Sequence, residues 1–218
     1  GTAATADSTG KVFELPTGDT ITITATAAGV KYVSDTAAEN NTYTYVLENA
    51  DQYSSVSATY GTLSITKAPL TITADSNSKE YDGTALTDDG WQDTEPVGLQ
   101  GTDAVTSVTV TGSQTEVGSS ANTASGAVVM NGETDVTANY EITYVPGTLV
   151  VTKSGKALVI TSSTKSWTYD GELHTDEVYT VTYDGTAVTA DSTGKVFTLP
   201  TGDTVTITAT AEGVKFVA

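Results

Sequence analysis

Residues 1–33, GTAATADSTGKVFELPTGDTITITATAAGVKYV, return almost unchanged at residues 185–217 as GTAVTADSTGKVFTLPTGDTVTITATAEGVKFV. The two stretches differ at five of 33 positions: Ala4/Val188, Glu14/Thr198, Ile21/Val205, Ala28/Glu212 and Tyr32/Phe216. The offset is 184 residues, so the chain carries an internal repeat, and such periods mark arrays of small folding units. Within the repeat, Thr20–Thr26 (TITITAT) and Thr204–Thr210 (TVTITAT) alternate β-branched and polar residues, the two-residue period of a half-buried strand.

A weaker repeat lies inside that period. Leu70-Thr71-Ile72-Thr73 recurs as Leu158-Val159-Ile160-Thr161, and Tyr81-Asp82-Gly83 as Tyr169-Asp170-Gly171, both offset by 88. Gly61-Thr62-Leu63-Ser64-Ile65-Thr66-Lys67 recurs as Gly147-Thr148-Leu149-Val150-Val151-Thr152-Lys153, offset by 86. The expected frame is a complete module at residues 68–153, flanked by 1–67, which lacks an opening strand, and 154–218, which lacks closing strands. Gly1 reads as the cut edge of a longer chain. A half module leaves its apolar face uncovered, so the flanks are expected to complement each other between neighbouring molecules, as in domain swapping.

Within residues 68–153, Leu70–Ala74, Val105–Thr111 and Ala124–Met130 read as strands, and Tyr81-Asp82-Gly83 as a tight turn whose glycine supplies positive φ. One short helical turn is expected in Gly98–Val105, a polar loop in Gly112–Asn122, and a hairpin turn at Asn131-Gly132. Asn139–Val145 and Thr148–Thr152 read as a closing hairpin across Pro146-Gly147, echoed by Thr42–Leu47 and Thr62–Thr66. The fold class is therefore mainly β: tandem small β-rich modules with at most one short helix each.

Composition supports strands and excludes several functions. Threonine makes up 45 of the 218 residues, a residue suited to the pleated surface of a sheet. The net charge is −18, with nine lysines and no arginine. Phosphate backbones and anionic membranes need basic clusters, so neither nucleic acid nor a membrane surface is an expected partner. There is no cysteine, which removes disulfides, thiol catalysis and thiolate metal sites. No run approaches the ~20 apolar residues of a membrane span.

Candidate chemistry is sparse, and no enzymatic activity, cofactor site or catalytic residue is expected. His174 is the single histidine, too few for a convergent catalytic site. Asp88, Asp89 and Asp93 share one loop with Gly90 and offer oxygens to Ca²⁺, but without EF-hand spacing; a solvated turn is the simpler reading. Trp91, Trp167 and Tyr43, Tyr45, Tyr53, Tyr140, Tyr144, Tyr179 and Tyr183 could stack on a sugar, although aromatics on strands more commonly serve cores and cross-strand pairs. Lys67 and Lys153 sit at equivalent strand ends, with Asn139 near the closing hairpin, and each lysine reads most simply as a charged strand terminus.

The runs LTITADSNSKEYDGTALT, VGLQGTDAVTSVTVTGSQTEVGSSANT and NYEITYVPGTLVVTK, which span the middle module and recur in pieces in both flanks, resemble the MBG-type repeats of bacterial surface proteins. The resemblance implies a β-grasp-like module with adjacent first and last strands. It also implies a large, repetitive, wall-anchored protein of Gram-positive type, outside the cell. Tyr60 in place of the proline before Gly61, and Trp167-Thr168 before Tyr169, depart from that pattern. The expected role is a structural stalk or spacer of an adhesin-like protein, with neighbouring modules as partners. The alternative is an adhesive module binding host glycan or matrix protein.

Overall fold

The computed structural model describes residues 3–92 and 97–208. Sixteen strands follow in chain order. They are β1 (Thr5–Ala6), β2 (Val12–Glu14), β3 (Thr20–Ala25), β4 (Tyr43–Leu47), β5 (Ala68–Thr73), β6 (Asn77–Glu80), β7 (Ala104–Thr111) and β8 (Gly118–Asn131). The remainder are β9 (Thr134–Asp135), β10 (Tyr140–Val145), β11 (Gly147–Thr152), β12 (Leu158–Ser162), β13 (Tyr179–Tyr183), β14 (Thr186–Val188), β15 (Val196–Thr198) and β16 (Thr204–Thr206). The protein is mainly β; the helical content among the described residues is three short 3₁₀ turns. The backbone forms two compact units. The first holds residues 3–71, 97–107 and 127–143; the second holds 72–92, 108–126 and 144–208.

In the first unit, β1, β2, β3 and β4 form an antiparallel meander. Ile21 lies opposite Leu47 and Ile23 opposite Tyr45. Leu70, Ala127, Val129, Val136 and Tyr140 are buried. Among the described residues of the second unit two apolar clusters form. One is Leu86, Leu149 and Val151 with Tyr81 against them. The other is Val181, Phe197 and Leu199, enclosed by Tyr179, Tyr183, Val188, Ala190, Val205 and Ile207. Here β11 lies between β6, which it pairs in parallel, and β8, which it pairs antiparallel. The sheet β12-β13-β14 and the hairpin β15-β16 complete it.

The near-identical stretches fold alike locally. Leu15 N donates to Asp19 O at 2.8 Å and Leu199 N to Asp203 O at 2.7 Å; Ile23 N to Lys11 O and Ile207 N to Lys195 O are both 2.8 Å. Gly18 and Gly202 turn at φ 88° and 90°. Ala209 and Thr210, expected to continue the second strand, lie outside the described residues.

The closing strands differ from the hairpin expected of them. The chain does not reverse at Pro146-Gly147: β10 pairs with β5, and β11 pairs with β6 and β8. Two successive strands thus run along two successive opening strands. Gly147 is what lets the backbones close in, because a Cβ there would sit 2.0 Å from Asp75 O. The polar loop expected at Gly112–Asn122 is in part strand. Its Gly118–Asn122 portion pairs with β11, despite a composition of serine, alanine and asparagine, because pairing is satisfied through the main chain. The two-residue turn before β9 is Gly132-Glu133, one residue later than Asn131-Gly132, with Asn131 paired to Thr134. Gly98–Val105 contains one hydrogen-bonded turn, Asp103 N to Gln100 O at 3.0 Å, and no helix. Tyr43–Leu47 is a strand as expected, but Thr62–Thr66 is not.

Candidate functional site

The first unit contains a cleft of about 500 Å³ whose lining includes Lys31, Tyr32, Ile65, Asp103, Asn139 and Tyr140, a volume in the range of small-molecule sites. Its geometry starts from the 3₁₀ turn Thr137–Asn139. Thr137 N donates to Asp135 Oδ1 at 2.9 Å, and the Thr137 hydroxyl receives Val129 N at 2.8 Å. These bonds fix the turn that delivers Asn139 and Tyr140. The buried Tyr140 hydroxyl donates to Asp103 Oδ2 at 2.6 Å and receives Gln100 N at 3.0 Å. Asn131 Nδ2 donates to Asp103 Oδ1 at 2.5 Å. Asn139 Oδ1 accepts from Val33 N at 2.8 Å. Burial, then the bond to Asp103, raises the Tyr140 pKa, so the phenol stays protonated as a donor. Lys31 Nζ lies 4.9 Å from the Tyr32 ring centroid, and Tyr32 is the main cause of its raised pKa. The cleft thus offers an ammonium, amides and a carboxylate beside aromatic walls. That is equipment for binding a polar ligand.

A second organised place lies in the second unit. Gly83, at φ 81°, meets the Thr201 carbonyl so closely that a Cβ would sit 1.9 Å from it. Beside it the Tyr81 hydroxyl donates to Asp203 Oδ1 at 3.1 Å. In the first unit, Asp19 is the repeat equivalent of Asp203. It receives the Tyr53 hydroxyl at 2.6 Å and Asn49 Nδ2 at 2.6 Å. Both copies of the Leu-Pro-Thr-Gly-Asp loop therefore end on a tyrosine-to-aspartate hydrogen bond.

The residues singled out from sequence go to separate tasks. His174 Nε2 lies 2.9 Å from Asp170 Oδ1, and its ring stacks on Trp167 at 5.0 Å and 8°. Asp88 Oδ1 accepts Gly90 N and its Oδ2 accepts Asn77 Nδ2, both at 2.8 Å, which are turn-closing bonds. Asp93 lies outside the described residues. Among the described residues no group of three or more His, Asp or Glu is placed to hold a metal ion. Tyr43 stands edge-on to Tyr60, Tyr179 and Tyr183 pack on the Val181 centre, and Trp91 bridges to Ala74. Tyr45 and Trp167 are partly exposed, at 40% and 46%, and Tyr144 is half-buried. Lys67 and Lys153 are exposed. The sequence reading missed the Asp103–Tyr140–Asn131 network. Its one legible signal was the polar Asn131 and Asn139 on either side of buried Val136.

No family model, curated protein or solved structure matches this chain.

Proposed function

We propose that this chain is a structural spacer: tandem β-grasp-like modules, one of them residues 68–153, in a secreted cell-surface protein of adhesin type. They would hold another domain away from the envelope, with neighbouring modules as their partners and no catalytic role. The observation that carries this reading is the recurrence of one turn: Leu15 N to Asp19 O at 2.8 Å and Leu199 N to Asp203 O at 2.7 Å close the same loop, and each loop ends on a tyrosine-to-aspartate hydrogen bond. Near-identical copies support the same reading, since each unit in an array needs to fit only its neighbours. The surplus of carboxylates keeps such a surface soluble and self-repelling. Small-angle scattering on increasing lengths of the natural repeat array tests it. A maximum dimension growing in equal steps per module is expected; a dimension that stops growing contradicts it.

The cleft beside Tyr140 favours a second reading, an adhesive module that takes a sugar among its amides and carboxylate. A glycan array separates the two. Saturable binding lost in Asn139→Ala would move the function to the cleft.

A further inference from the structure

Among the described residues two strand edges are unpaired, and their sequence equivalents are joined to each other in the middle of the same chain. Strand β5 buries Leu70 and Ile72 to 1% exposure each, and β11 buries Leu149 and Val151 to 0% and 1%. Their equivalents are far more open. Leu158 and Ile160 in β12 are 46% and 50% exposed, and Leu63 and Ile65 are only half-buried. Thr42–Leu47, the echo expected from sequence, is taken up in β4 beside β3; residues 54–59, which precede Gly61 at the spacing by which β10 precedes Gly147, are exposed throughout.

The main-chain directions agree at every point. In β5, Thr71 N and Asp75 N bond to Val97 O and Gly90 O on one edge, while Ala74 N bonds to Val145 O in β10 on the other. In β12, Ala157 O and Ser163 N bond to the β13 side. By alternation the groups of Leu158, Ile160 and Ser162 face the other edge, where no strand pairs among the described residues. In the closing segment, Leu63 N bonds to Asn40 Oδ1 and Ile65 N to the Thr36 hydroxyl. Those of Ser64 and Thr66 therefore face the opposite edge. Their equivalents are Val150 and Thr152, and Thr152 O accepts Tyr81 N at 2.9 Å.

We infer that residues 54–66 of one copy of this chain dock in parallel along Leu158–Ser162 and residues 165–168 of a second copy. The register is the one that β11 keeps with β6: Leu63 opposite Lys165, Ser64 opposite Ser166, Ile65 opposite Trp167 and Thr66 opposite Thr168, by transfer from Leu149–Asn77 through Thr152–Glu80. Ser162 N then donates to Thr59 O, which already receives the Tyr43 hydroxyl at 3.2 Å and has a second lone pair. Leu158, Val159, Ile160, Trp167, Tyr169, Leu173 and Val178, each 46% to 65% exposed, leave much of the apolar surface of residues 158–178 in water. Added strands draw affinity from main-chain bonds and specificity from alternate side chains. Because the two edges are different surfaces, the contact is heterologous and extends or closes into a ring. This inference stands on strand pairing and survives failure of the spacer reading.

The absence of native cysteine makes the register testable. A chain carrying Ser64→Cys is mixed with one carrying Ser166→Cys under mild oxidation, and masses are followed by sedimentation across concentration. Expected are concentration-dependent association and a disulfide-linked heterodimer. Cross-linking should fall at least tenfold when Thr180→Cys, on the β13 side, replaces Ser166→Cys. Ile160→Lys alters a residue already half exposed, so the chain still folds, yet association should be lost; a peptide of residues 53–67 should compete. A monomer at every concentration, a cross-link as frequent with Thr180→Cys, or unchanged association of Ile160→Lys overturns the inference. So does cross-linking of a chain carrying both Ser64→Cys and Ser166→Cys only within itself.

Discussion

Gly83 and Thr201 meet with no room between them: a Cβ on the glycine would lie 1.9 Å from the threonine carbonyl. Gly171, its repeat equivalent, holds almost the same backbone angle, φ 83° against 81°. It has nothing within 4 Å of that position. Alanine in the left-handed region costs ~1–2 kcal/mol at either site. Only at Gly83 is a clash added. Gly83→Ala should therefore destabilise by about 1–3 kcal/mol more than Gly171→Ala. Urea unfolding of the two variants measures the difference, and equal losses would refute a packed contact.

The aspartates of the turns set the acid limit of stability. The Tyr53 bond first, then Asn49 and Thr17, lower the pKa of Asp19 below 3.8. The threonine hydroxyls of Thr9 and Thr193 do the same for Asp7 and Asp191. A depressed folded-state pKa gives stability that is present above the unfolded value and lost as pH falls through the folded one. Urea midpoints should hold from neutral pH to about 4 and then fall. Asp19→Asn should flatten part of that acid limb.

Tyrosines set the alkaline limit. Asp203 raises Tyr81, Asp19 raises Tyr53, and burial followed by Asp103 raises Tyr140, all above 10.0. Stability from a raised pKa is full below the unfolded value and is lost as pH climbs through the folded one. Tyr53→Phe should lower stability at neutral pH and remove part of the loss above about pH 10, read by the same midpoints and by phenolate absorbance.

Tyr140→Phe keeps the buried ring but deletes the hydroxyl that joins Asp103 to Gln100 N. A cost of ~1–3 kcal/mol is expected, since Asp103 and the Gln100 amide each lose a partner. Calorimetry checks it; a neutral result would mean water replaces the hydroxyl without cost.

Leu149→Ala should cost ~2–5 kcal/mol, as for a fully buried leucine. Leu63→Ala, its repeat equivalent and only half-buried, should cost about 1 kcal/mol or less in dilute solution. Denaturation of both variants compares them.

Periodicity made the strands legible: Thr20–Ala25, Ala104–Thr111 and Tyr140–Val145 all stand where alternation put them. Partner choice was not legible. Pro146-Gly147 has the composition of a turn, but the glycine serves a backbone approach to Asp75, a fact of tertiary structure that no local pattern encodes. Gly118–Asn122 is polar because its pairing with β11 is carried by the main chain. The Asp103–Tyr140–Asn131 network draws on residues nearly forty positions apart, beyond any short motif. The turn at Asp82 was readable because its bonds are local.

Residues 68–153 expressed alone give the most direct check that the protein is built from self-sufficient β modules. Thermal unfolding followed by circular dichroism should show a strand-rich fragment melting in one cooperative transition, with slow amide exchange at Leu70, Val129, Leu149 and Val151. A fragment that is unstructured at every temperature, with those amides exchanging at open-chain rates, would contradict the account.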